Sequence, residues 1–276
     1  MAAQEDGGEL FSVVISAIAK DDPMKAGELF REALMNGTVD GRSIYNAAYS
    51  ISRSLGELGA IPLLEFADSL PQRQQSNAIH NAMRAMSDTE QIKLLSELRQ
   101  RSADGTYDGA RLDYAFAIAL GSNREMAEAW LEKLPEGETK VELQLSAANR
   151  LMQEGNKEEA GEWFQRAIIS SPGREKELML EAARNIAYSN PEGIALFATM
   201  LPPDSTLTAD DLKSHALNSI HSGSGGLVAV TDALRNPDEK AKLIMQTLET
   251  LSKSNNLMMN ATDIEILSRR IDGASP

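Results

Sequence analysis

The chain has 276 residues, no cysteine, and 41 acidic against 27 basic side chains, a formal net charge of −14. Without cysteine, disulfides, zinc fingers and thiol catalysis are excluded, and the negative balance disfavours binding to nucleic-acid phosphates or anionic lipid surfaces. Hydrophobic residues at 42% allow a packed core, and with aromatics at only 5% that core is expected to be of Ala, Leu and Met, the mix of closely packed helices.

Residues 1–8 are polar and glycine-rich and read as a disordered N-terminal lead. The apolar run at 10–19 follows Glu5, Asp6 and Glu9 instead of a positive segment, which makes it a poor signal peptide. No run approaches the ~20 apolar residues of a membrane helix. From Glu9 onward the spacing predicts helix after helix. First helices of successive hairpins are expected at 9–19, 42–54, 72–86, 109–120, 139–153, 174–188, 208–220 and 237–252. Second helices are expected at 23–35, 60–70, 89–101, 123–134, 157–169, 191–200, 225–235 and 262–271. The array covers 9–252, and 253–276 reads as a C-terminal capping helix and tail.

Local signals agree. Asp22-Pro23, Asn190-Pro191 and Asn236-Pro237 each set a cap residue before a proline at the first helical position. Ser87-x-x-Glu90 and Ser122-x-x-Glu125 have capping-box spacing. Pro71, Pro135 and Pro202 each follow a leucine that closes a second helix. No stretch alternates apolar and polar residues long enough to propose a strand.

Second-helix anchors recur at Phe30, Phe66, Leu94, Trp130, Trp163, Phe197 and Val230, with separations of 36, 28, 36, 33, 34 and 33 residues. A period near 34 predicts about eight hairpins, each with an apolar face that only stacking can bury. A compact irregular helical domain remains the alternative, since 3.6 periodicity is common to all helical proteins.

The clearest unit is 141–172. Val141, Leu145, Ala148, Leu151 and Met152 share one face of its first helix, and Ala160, Trp163, Phe164, Ala167 and Ile168 one face of its second. Gly155 suits the left-handed C′ position, Asn156 and Glu159 the next cap, and Pro172 the stop. This unit resembles the tetratricopeptide repeat. Ala147, Ala148 and Leu151 occupy the small and large positions of the family's first helix, and Ala160, Phe164, Ala167 and Pro172 match the second-helix signature in order. Gln144 stands where the family usually has Trp, and Ala148 where it has Gly, so the repeat is degenerate.

The resemblance implies an all-α superhelix, a solenoid of hairpins, with a concave face lined by the first helices. By repeat register the partner-facing positions are then Tyr45, Tyr49 and Arg53 in the second hairpin and Ser76, His80 and Arg84 in the third. They are Leu112 and Phe116 in the fourth, Leu145, Asn149 and Gln153 in the fifth, and Leu180, Arg184 and Tyr188 in the sixth. This line holds three arginines and no acid. Its expected ligand is an extended peptide or acidic segment, because guanidinium binds carboxylate in a bidentate manner and tyrosine offers contact area at low entropic cost.

Chemistry-bearing motifs are sparse. His80, His215 and His221 show no metal-ligand spacing. Asp21-Asp22, Glu158-Glu159 and Asp210-Asp211 sit at helix starts, where negative charge complements the dipole. The glycine-rich stretch 221–226 lacks the lysine of a phosphate loop. Trp130 and Trp163 hold equivalent positions and are expected in the core. The reading is a non-catalytic interaction or scaffold protein with no metal or cofactor, a protein or peptide partner, no nucleic acid and no membrane insertion. The alternatives are an all-helical enzyme, for example one acting on glycans through an unrecognised acid/base pair, and self-association through exposed repeat ends.

Overall fold

The computed structural model describes residues 2–37, 41–103, 109–187, 189–220 and 224–253. These residues form fifteen α-helices and no strand. The helices are α1 (Ala2–Asp21), α2 (Pro23–Met35), α3 (Gly41–Leu58), α4 (Ala60–Asp68) and α5 (Gln72–Met83). Next come α6 (Asp88–Ala103), α7 (Gly109–Ser122), α8 (Arg124–Glu132), α9 (Glu138–Gln153) and α10 (Lys157–Ser170). The last five are α11 (Glu175–Ile186), α12 (Glu192–Thr199), α13 (Ala209–Ser219), α14 (Ser224–Asp232) and α15 (Pro237–Lys253). Each corresponds to an expected helix, and most ends differ by only a few residues. The largest difference is at the start, where α1 is helical from Ala2. The helix expected at 262–271, with the rest of the C-terminal segment 254–276, lies outside the described residues.

The chain divides into two compact units, Met1–Leu134 and Pro135–Pro276. In the first, α1 packs on α3, α3 on α5 and α5 on α7, while α4 packs on α6 and α6 on α8. In the second, α9 packs on α11, α11 on α13 and α13 on α15, while α10 packs on α12 and α12 on α14. First helices therefore neighbour first helices, and second helices neighbour second helices.

Side-chain bonds repeat at the same sequence spacing. Ser16 to Ser50 (2.8 Å), Tyr114 to His80, and Trp130 Nε1 to Ser96 Oγ (3.0 Å) all join residues 34 apart. Arg101 to Asp68 (2.7 Å) spans 33, and Asn123 to Asp88 (2.7 Å) spans 35. In the second unit, Lys157 to Glu192 (2.6 Å) spans 35 and the Arg235 guanidinium to the Leu201 carbonyl (2.8 Å) spans 34. A residue thus bonds its counterpart one period away.

The core follows the same rule. Phe30 meets Phe66 with ring centroids 5.9 Å apart, and Phe164 meets Phe197 at 4.4 Å. Trp163 is fully buried and Trp130 nearly so. Small residues let the backbones approach. A Cβ on Gly56 of α3 would lie 2.6 Å from the Ala82 carbonyl oxygen of α5.

Caps are built partly as the sequence suggests. Gly155 has φ +86°, and the Asn156 and Gly155 amides donate to the Leu151 and Met152 carbonyls (2.9 and 3.1 Å), closing α9 with a Schellman turn. Asp22 accepts from the Lys25 amide at 2.9 Å. Four expected caps differ. Asn190 caps nothing: α12 starts at Glu192 with Pro191 at the cap position, and the Asn190 side-chain amide donates to the Met152 carbonyl at 2.7 Å. Asn156 makes no side-chain cap bond. Asn123, not Ser122, caps α8 by accepting from the Met126 amide. Ser87 accepts from Glu90 at 3.3 Å, but the Glu90 carboxylate turns to the Ala60 amide (2.8 Å) and caps the neighbouring α4 instead. Glu239 does the same for α13 through the Ala209 amide (2.6 Å). A local capping signal has become a contact between hairpins.

A cleft on the first helices of the N-terminal unit

Where α3, α5 and α7 lie side by side they leave a cleft of about 450 Å3. Tyr45 forms one wall, Tyr114 the other, and Ser76, Asn77, Ile79, His80 and Asn81 the floor. A smaller cavity of about 40 Å3 continues toward Tyr49 between α3 and α5, with Gln74 in its wall. Among the described residues the lining holds three tyrosines and no carboxylate, in a chain of net charge −14.

The periodicity of α3 and α5 produces this face. On α3, Ala47, Ala48, Ile51 and Leu55 are buried, which turns Tyr45 and Tyr49 outward, 55% and 41% exposed. On α5, Ala78, Ile79, Ala82 and Met83 are buried, which leaves Ser76 and Asn77 exposed and His80 and Asn81 half-buried. The Tyr114 hydroxyl meets His80 Nδ1, and the two rings lie 4.9 Å apart, so one tyrosine is braced while Tyr45 and Tyr49 stand open. Among the described residues Asn77 and Asn81 make no side-chain hydrogen bond. Gln74 Oε1 is buried without a partner, an acceptor with an unmet requirement.

The expected positions divide. Tyr45 and His80 line the cleft, Tyr49 lines its extension, and Arg53 and Arg84 are exposed near the C-terminal ends of α3 and α5. Phe116 does not belong to the face: it is fully buried and packs on Trp130 with centroids 6.0 Å apart. Leu112 is buried too, and the surface position of α7 is Tyr114, 40% exposed. In the second unit Asn149 and Leu145 are buried, while Gln153 and Arg184 are exposed and Leu180 is half-buried. Tyr188 lies outside the described residues. Asn77, Asn81, Gln74 and Tyr114 were missed. The Asn pair was legible as a second i, i+4 row beside Ser76 and His80, since an exposed helix face is wider than one row.

Nor is the corresponding face of the second unit free of acids. Glu142 of α9 is exposed, and partial burial, Glu138 and Glu181 together push its carboxyl above the usual range, with Arg174 opposing them. His215 of α13 is buried, and burial and Arg184 hold its imidazole below the usual value. Neither lines the α3–α5–α7 cleft. The acidic pair at the start of α13 is tied into the fold. Asp210 bonds Lys242 and Gln246. Asp211 is pushed up by burial, but bonds from Lys176 and Thr208 outweigh this and hold it below the usual range.

No three acidic or histidine side chains among the described residues converge as a metal site, and no described helix is long and apolar enough to cross a membrane. Residues 221–223 of the glycine-rich stretch lie outside the described residues. No family model, curated protein or solved structure matches the chain.

Proposed function

We propose that each unit is a stretch of helical-hairpin superhelix of the tetratricopeptide-like kind, and that the chain is a non-catalytic binding protein which takes an extended peptide across α3, α5 and α7. The observation that carries this reading is the pairing of exposed tyrosines with the unbonded amides of Asn77 and Asn81 along one cleft whose described lining holds no carboxylate. A primary amide offers a donor and an acceptor, the complement of a peptide group. Two amides four residues apart on a helix face the same way and can hold peptide groups two residues apart on one side of an extended chain. The buried Gln74 oxygen provides one more acceptor. Tyr45 and Tyr49 add rigid, amphipathic contact area. Arg53 and Arg84 favour a ligand with a carboxylate beyond the cleft.

The test is selection of a random dodecapeptide phage library on the full chain, followed by fluorescence titration of the enriched peptides. Micromolar binders are expected, with affinity reduced about tenfold or more in Asn77→Ala/Asn81→Ala, because each lost amide strands peptide polar groups. The melting temperature should hold, since neither side chain makes a hydrogen bond among the described residues. Charge reversal of Arg53 and Arg84 should weaken acidic peptides more than neutral ones. Failure to enrich any peptide, or binders indifferent to the Asn substitutions, would overturn the reading.

A further inference from the structure

The second surface that calls for a partner is the outer face of α1. In the N-terminal unit, α3 and α5 each pack between two other first helices, whereas α1, besides its hairpin partner α2, has α3 as its single first-helix neighbour among the described residues. Its inner face, Ser12, Ile15 and Ala19, is buried. The opposite face carries Leu10, Val13, Val14 and Ala17 at i, i+3, i+4 and i+7, with Leu10 65%, Val13 65% and Val14 47% exposed. A helix that is apolar on both faces belongs between two layers, and here one layer is missing.

We propose that the missing layer is α1 of a second copy, packed antiparallel about a two-fold axis between Val13 and Val14. The stripe is its own complement in that arrangement. Val13 meets Val14 of the second copy, and each Leu10 meets the small Ala17 of the other, as an isologous contact requires. One flanking pair of charges fits as well. Glu9 and Lys20 lie on the same side of the stripe, both exposed and without an ion pair among the described residues. Antiparallel pairing brings each Glu9 beside Lys20 of the other copy, twice per dimer. A parallel two-fold pair would set the two Glu9 side chains on opposite sides of the contact, and neither would lie beside Lys20 of the other copy. The contact is small: one helix pair buries well under the about 1,600 Å2 of a standard interface, so a dissociation constant on the order of 10–100 μM is expected. The surface is separate from the peptide cleft and does not depend on it.

Sedimentation equilibrium of the full chain from about 5 to about 500 μM spans that range. A monomer–dimer equilibrium is expected. Val13→Glu should leave a monomer throughout, with its helical circular dichroism retained because the side chain faces solvent. Glu9→Lys and Lys20→Glu should each weaken the dimer about fivefold, and the double exchange should restore it to within about twofold. A monomer at the highest concentration, assembly unaffected by Val13→Glu, or a double exchange as weak as either single one would overturn the proposal.

Discussion

His215 shows how one buried side chain ties the second unit to pH. An ordinary imidazole titrates near 6.5, and burial with Arg184 nearby holds this one lower. The unfolded chain therefore takes up its proton first as pH falls. This contribution is level above the unfolded value and is lost as pH drops through it toward the folded one. Urea unfolding at about pH 7.5 and about pH 5 checks the sign. Wild type should lose more stability over that interval than His215→Gln, and an equal loss would show that the imidazole is not involved. Residue identity also decided what could be read in advance. Tyr45 and Tyr49 were legible because four buried neighbours fix the face of α3. Asn149 was misread at the source: an amide at a half-polar position reads as exposed, yet α9 buries it together with Leu145. Phe116 was misplaced by the same error, because its register was carried 33 residues back from Asn149, from the anchor Trp163 to Trp130. That transfer chose the core side of α7 and missed Tyr114, two residues earlier.

At the scale of the element, α3 and α5 approach closely where Gly56 meets the Ala82 backbone. Gly56 permits it, and a methyl group there would meet backbone, not a movable side chain. Helix propensity would favour alanine by up to about 1 kcal/mol, whereas overpacking costs about 1–3 kcal/mol, so the clash should win. Gly56→Ala is expected to lower stability by about 1–2 kcal/mol and to weaken the selected peptides by separating Tyr45 from Asn77 and Asn81. Denaturant midpoints and the same titrations measure both effects. Unchanged stability would mean that the helices can part without loss. Helix existence and type were readable throughout, since prolines and cap residues fall at the ends. The caps that link hairpins were not, because Glu90 and Glu239 bond amides 30 residues away, beyond the reach of any local motif.

For the molecule as a whole, one rule recurs: residues about 34 apart meet, as Ser16 with Ser50, His80 with Tyr114, and the Leu201 carbonyl with Arg235. That spacing was visible in the anchors, and it accounts for first helices lying beside first helices within each unit. The anchors could not say which sides of those helices stay open, and the open sides carry the functional reading. A selected peptide bearing a benzophenone side chain tests that reading most directly, because photo-crosslinking to the full chain reports contact by position. The account predicts crosslinks, mapped by mass spectrometry, on α3, α5 and α7, concentrated around Tyr45, Asn77, Asn81 and Tyr114. Crosslinks confined to other helices, or none from a peptide that binds, would contradict it.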